Sequence, residues 1–260
     1  MSTPSKPGGG TSMAPEPHGR LEELVHSHDP EVLHGATADP RLTEELALSL
    51  LTRRDLPREA IEALAKNGAV MKHRKVIVAV VSHPRAPRHL SLPMARHLYT
   101  FELLQIALMP GIAADLKVAV EEALMARLES ISTGERVTLA KRGSTRVAAT
   151  LLRDAEERVM LAAPENPYLT ESWVVKALLS ADAPLALVHA VCRHAKWSLR
   201  RDIQIALLRN DKTPLARAIA ISDKLPSTVL RDVLHNSRLA PNAKTYLLAL
   251  LERRAQPPRE

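Results

Sequence analysis

Residues 196–221 read KWSLRRDIQIALLRNDKTPLARAIAI, and this stretch decides the fold. It spells one helix, a tight turn and a second helix. Ser198 stands where a cap is needed, because its hydroxyl can accept from a first-turn N–H that has no partner inside the helix. Leu199, Ile203, Ala206 and Leu207 then recur at helical spacing. Asn210 occupies the place of a left-handed C-terminal residue. Thr213-Pro214 opens the next helix, with proline where a missing N–H does no harm. Ile205 and Leu208 fall outside the apolar stripe. A helix with a single buried face would not carry them; a helix with neighbours on both sides would.

The same grammar extends in both directions. Helix-start signals include Asp29-Pro30, Thr43, Asp55 with Pro57, Val70 after Asn67-Gly68, Ala86-Pro87, Thr100, Ser132, Asp154, Thr170, Asp182 with Pro184, Pro226 and Pro241. Ser132 with Glu135 and Asp154 with Glu157 have the spacing of capping boxes. Taking every second start, Asp154 to Asp182, Thr170 to Ser198, Ser198 to Pro226 and Thr213 to Pro241 are each 28 residues apart. The expectation is an all-α chain, an α-solenoid of short antiparallel helix pairs with a period of about 28 residues over residues 20–254. The Pro-, Gly- and Ser-rich residues 1–19 and the end, 255–260, are expected to be disordered. The rhythm breaks at 110–153, a possible seam, where Ile112–Glu129 makes the longest helix the pattern allows and Gly143-Ser144 interrupts the next. Pro93 kinks a helix or ends it.

Composition supports the same class. Aliphatic residues must build the core, since the chain has one Phe, three Tyr and two Trp, and sheets favour aromatic and β-branched residues. A single cysteine, Cys192, leaves no intramolecular disulfide and fits a reducing compartment. With no signal-peptide pattern and no apolar run of spanning length, a cytoplasmic location away from the membrane is expected. The net charge of +7 is uneven: residues 187–260 hold 14 Lys/Arg against 6 Asp/Glu, leaving 22 against 23 upstream.

Helix pairs joined by Asn166-Pro167, His83-Pro84 and Asn210-Asp211-Lys212-Thr213-Pro214 resemble HEAT-like repeats, or the short leucine-rich-repeat-variant units of bacteria. The resemblance covers roughly Asp29 to Arg254. It implies a curved rod with a concave binding surface and brings no catalytic residue with it.

Arg193, Lys196, Trp197, Arg200, Arg201, Arg209, Lys212 and Arg217 are the candidate binding residues. The basic ones either form a stripe that tracks phosphates or make a solvated face, since long cationic side chains routinely cover apolar helix surface. Trp197 either packs in the core or stands exposed beside Arg193 as an anchor. Scarce aromatics argue against a stacking platform for single strands, so a nucleic-acid partner would be a duplex read through its backbone. His189, Cys192 and His194 lack the convergence and the fourth ligand that zinc wants, and no metal or other cofactor is expected. Catalytic motifs are absent, and Glu121-Glu122 and Glu156-Glu157 diverge around a helix instead of converging as an acid/base pair. The expected function is therefore non-catalytic: a binding or scaffold protein with another protein as its partner. The alternative is a nucleic-acid-binding protein using the basic C-terminal third.

Overall fold

The computed structural model describes residues 17–255, with side chains from residue 21 to residue 254. The remainder of the two expected disordered ends lies outside the described residues. Among those described, all regular structure is helical: 18 α-helices and two single 3-10 turns, with no strand. The chain is all-α.

The described residues form two compact units. One comprises the residues up to Leu98 together with Gly111–Leu116; the other comprises Tyr99–Pro110 and the residues from Lys117 onward. In the first lie α1 (Pro17–Val25), α2 (Pro30–Ala38), α3 (Glu44–Thr52), α4 (Arg58–Lys66), the single turn α5 (Gly68–Met71), α6 (Arg74–Ser82) and α7 (Arg88–Ala95). Helix α2 packs on α4, and α3 packs on both α1 and α6. Their core is aliphatic, from Leu21 and Leu33 through Leu50, Leu56, Ile61 and Leu64 to Val76 and Val80. The helix expected at Val70 is the one-turn α5, and the longer helix waits for Arg74. Pro93 is tolerated within α7, which ends two residues later.

The second unit continues with α8 (Thr100–Ala107), all but the first turn of α9 (Ala114–Arg127), α10 (Thr133–Arg142), α11 (Thr145–Leu151) and α12 (Glu157–Ala162). Then follow α13 (Glu171–Leu179), α14 (Leu185–Arg193), α15 (Arg201–Leu208), α16 (Leu215–Ser222), α17 (Ser227–His235) and α18 (Pro241–Ala255). Helices α11, α13, α15 and α17 pack in succession as one row; α10, α12 and α14 pack as a second, and α16 packs on α18. A helix inside such a row is covered on several sides. In α15, Ile203, Gln204, Ala206, Leu207 and Leu208 are all buried, which answers the Leu208 that a one-faced helix could not place. At 15 residues α18 is longer than the 14-residue α9, contrary to expectation.

One loop design recurs. Asp39, His83, Asn166 and Asn210 each accept the N–H two residues on, at 2.8, 3.1, 2.8 and 2.8 Å. Each carbonyl accepts the N–H three residues on. The side chain at that third position (Leu42, Ala86, Leu169, Thr213) is buried. The fourth position is the N-cap of the next helix, Thr43, Pro87, Thr170 or Pro214. Local side-chain acceptance of this kind is what Asp and Asn offer a turn.

The free end of the loop side chain reaches back. Asn166 Nδ2 donates to the Ala140 and Gly143 carbonyls at 2.8 and 3.0 Å. Asn210 Nδ2 donates to Leu178 at 2.6 Å, 32 residues earlier, and His83 Nε2 meets the Arg53 carbonyl at 2.9 Å, 30 residues earlier. Asn67 does the same toward Thr37 and Asp39 at 3.0 and 2.9 Å. Arg53 reaches Val25 and Ser27, and Lys212 Nζ reaches Ala183. Most of these acceptors sit at or just beyond the C-terminal ends of helices, where carbonyls have no intrahelical partner. Gly143 is glycine for closeness: a Cβ there would lie 2.4 Å from the Leu139 oxygen.

Three expected caps are corrected. Ser198 caps nothing: Trp197–Leu199 is a 3-10 turn, Ser198 N donates to His194 O, and α15 opens only after Arg200. Asn210 is not left-handed, since no non-glycine residue among those described has positive φ. Its side chain shapes the following loop and reaches α13, while Thr213 Oγ1 donates to the Leu207 carbonyl near the end of α15 at 2.6 Å. Asp154 does not form a capping box; Arg136 holds its carboxylate at 2.9 Å and Glu156 N donates to it at 2.9 Å. The Ser132–Glu135 box is present, with bonds of 3.3 and 3.0 Å.

Candidate binding surfaces

The candidate residues do not form one cluster. Trp197 is 1 % exposed, and its indole N–H donates to the Pro164 carbonyl at 2.8 Å. It belongs to the core, so the exposed-anchor reading is corrected. The reason is local: the carbonyl inside the 3-10 turn at Ala163–Glu165 needs a donor, and the indole supplies it while filling the space. Lys196 Nζ lies over the Trp197 ring, 4.0 Å from its centroid. Lys212 is spent on its bond to the Ala183 carbonyl, and half-buried Arg209 faces Asp232 at 3.8 Å. Arg217 is half-buried as well. Arg193, Arg200 and Arg201 are exposed, and none makes an ion pair among the described residues. Leu199, expected in the buried stripe, is 68 % exposed.

Among the described residues no group of three or more His, Cys, Asp or Glu is placed to hold a metal ion. Cys192 is buried, and that burial pushes its thiol pKa up against the opposing pull of Arg217 and Arg193. His194 turns Nδ1 to the Lys196 N–H at 3.1 Å, with Nε2 3.2 Å from Glu165 Oε1. Neither nitrogen has Cys192 as its partner. No helix among the described residues is long and apolar enough to cross a membrane.

The row α11–α13–α15 leaves two adjoining clefts. Between α13 and α15 a cleft of about 420 Å³ is lined by Val175, Leu179, Ile205 and Ala206 and rimmed by Glu171, Asp202 and Arg209. Between α11 and α13 a second, of about 430 Å³, is lined by Ala149, Thr150, Trp173 and Lys176. Trp173 is half-buried, with Lys176 Nζ 5.0 Å from its ring centroid. Sequence reading missed these clefts. The available signal was the spacing of Ser172, Val175 and Leu179, a mixed polar and aliphatic stripe on a helix whose opposite face, Val174 and Leu178, is fully buried.

No protein-family model, curated protein or solved structure matches the chain. The functional reading rests on the geometry.

Proposed function

We propose that each unit is a short α-solenoid of HEAT-like helix pairs and that the protein is a non-catalytic binding or scaffold module. The reach-back bonds support the repeat reading. They run from a loop to a backbone carbonyl about one helix pair earlier, 30 residues for His83 and 32 for Asn210, close to the period of the cap spacing. In such an array every hairpin is covered by the next, and recognition falls to the exposed face of a row.

The observation that carries the function is the pair of clefts along α11–α13–α15. They are open, one lined by aliphatic side chains and the other by alanines and the Trp173 ring, with charged residues beside them, which is the anatomy of a surface that takes up side chains of another protein. The test is affinity capture followed by light scattering on the purified complex, with Val175→Asp and Ile205→Asp as paired variants. A partner bound by the parent in a fixed ratio, and at least tenfold more weakly by both variants, is expected. A partner held equally by parent and variants, with helicity unchanged, places recognition elsewhere.

A further inference from the structure

On one edge of the second unit three arginines are paired with carboxylates, and on the other a group of six cations is not. Arg136 pairs with Asp154, Arg153 with Asp182 and Arg209 with Asp232, all near the ends where α11, α13 and α15 finish. The opposite edge is defined by bonds between successive loops. Asn166 reaches Ala140 and Gly143, Thr145 Oγ1 donates to Tyr168 O at 2.6 Å, and the Trp197 indole reaches Pro164. These bonds set the end of α10, the start of α13 and the start of α15 side by side. Here stand Lys141, Arg142, Arg193, Lys196, Arg200 and Arg201, all exposed and without an ion pair among the described residues.

Local helix energetics explain only part of this set. Lys141 and Arg142 complement the negative end of α10, but Arg200 and Arg201 open α15, where the helix dipole repels cations. No carboxylate pairs with them: on the same edge Glu165 faces His194, and Glu171 and Asp202 stand in the first turns of α13 and α15. Helices in one row pack 8–10 Å apart, so the cations of the first loop and those of the third are separated by roughly 20 Å. A duplex offers about a dozen phosphates over that length, at one per ~1.7 Å. Tyr168, in the middle loop, is the one exposed aromatic ring on these three loops, too few for a single-strand platform.

We infer that this edge binds the phosphate backbone of double-stranded nucleic acid. Its cations are those of the first and third of three successive loops, not the C-terminal third alone; the middle loop, residues 163–170, carries no Lys or Arg, and the edge is distinct from the clefts proposed to bind protein. Fluorescence anisotropy of a 20-base-pair probe, as DNA and as RNA, is read at increasing salt. The parent should bind at about 50 mM salt, with log K falling against log salt at a slope near −4 for four or five phosphates. Arg200→Glu with Arg201→Glu, and separately Lys141→Glu with Arg142→Glu, should each weaken binding at least tenfold and flatten the slope. Arg158→Glu, exposed on the opposite edge, should change it less than twofold. Circular dichroism on each variant shows that the fold is intact. No binding by folded parent, equal loss in the Arg158 variant, or tighter binding to polyglutamate or anionic vesicles than to duplex overturns the assignment. Loss of the Val175 and Ile205 partner leaves this result untouched, so the two readings fail separately.

Discussion

Trp197 and His83 show how far a single side chain can be misread when its partner is distant in sequence. A tryptophan among arginines looks like a binding anchor, and a histidine before proline looks like a loop. Both turn out to serve backbone carbonyls 33 and 30 residues away. His83 has the sharper consequence. Its Nδ1 accepts from Arg85 N–H and its Nε2 faces the Arg53 carbonyl, so only the neutral ring with its proton on Nε2 satisfies both. Burial first, and then the Arg85 charge, push its pKa below the ordinary histidine value, against the pull of the Arg53 carbonyl. With the folded pKa depressed, the stability this ring contributes is complete above about 6.5, the value in the unfolded chain, and is lost as pH falls below that toward the folded value. Urea midpoints for the parent should therefore decline from pH 7.5 to pH 5 more steeply than those of His83→Asn, which keeps one acceptor and one donor without titrating. Parallel declines would show that His83 does not carry the pH dependence.

At the scale of the helix pair, the amides matter more than the caps. Asn166 makes two donor bonds and one acceptor bond while buried. Replacing it with Ala leaves two carbonyls and the Tyr168 N–H without partners. At about 1–3 kcal/mol for each buried orphan, and less than full additivity, Asn166→Ala should cost about 2–4 kcal/mol in urea denaturation. Asn236→Ala, exposed and bonded at 3.3 Å only to its own helix, should cost about 0.5 kcal/mol or less. Equal costs would mean that the reach-back bonds do not hold hairpins together. Much of this level was legible. Helix existence, the break at Gly143-Ser144 and the caps at Asp29, Thr43 and Ser132 follow from local chemistry, and local chemistry is what a sequence displays. Asp154 was misread because its partner, Arg136, lies 18 residues off. The loop design was half-visible: Asn, His or Asp, two residues, a small or aliphatic residue, then Pro or Thr. The buried third position distinguishes this pattern from an ordinary surface turn.

Across the molecule, charge and burial follow different rules from those of any one segment. The basic excess of the last third reads as one block, yet folding disperses it. Lys212 goes to a carbonyl and Arg209 to Asp232, while Lys141 and Arg142 join Arg200 and Arg201 from upstream. No linear scan could sort these, because the sorting depends on which loops share an edge. Burial has a similarly non-local consequence. Ending the chain after His194 removes α15 through α18 and uncovers one side of α13, where Leu178 and Val174 are now fully buried. The truncated protein should bind a hydrophobic dye strongly and lose its sharp thermal transition. Removal of α18 alone should lower the transition by far less. A truncated chain that melts as sharply as the parent would mean that neighbouring hairpins do not support one another.

The acceptor in every reach-back bond is main chain, and main chain is the same whatever residue bears it. A hairpin inserted by gene duplication would bring its own amide and find a ready oxygen, with no matching change demanded of the segment beside it. Substitution at an acceptor position therefore leaves the fastening in place, because the oxygen remains whatever side chain changes.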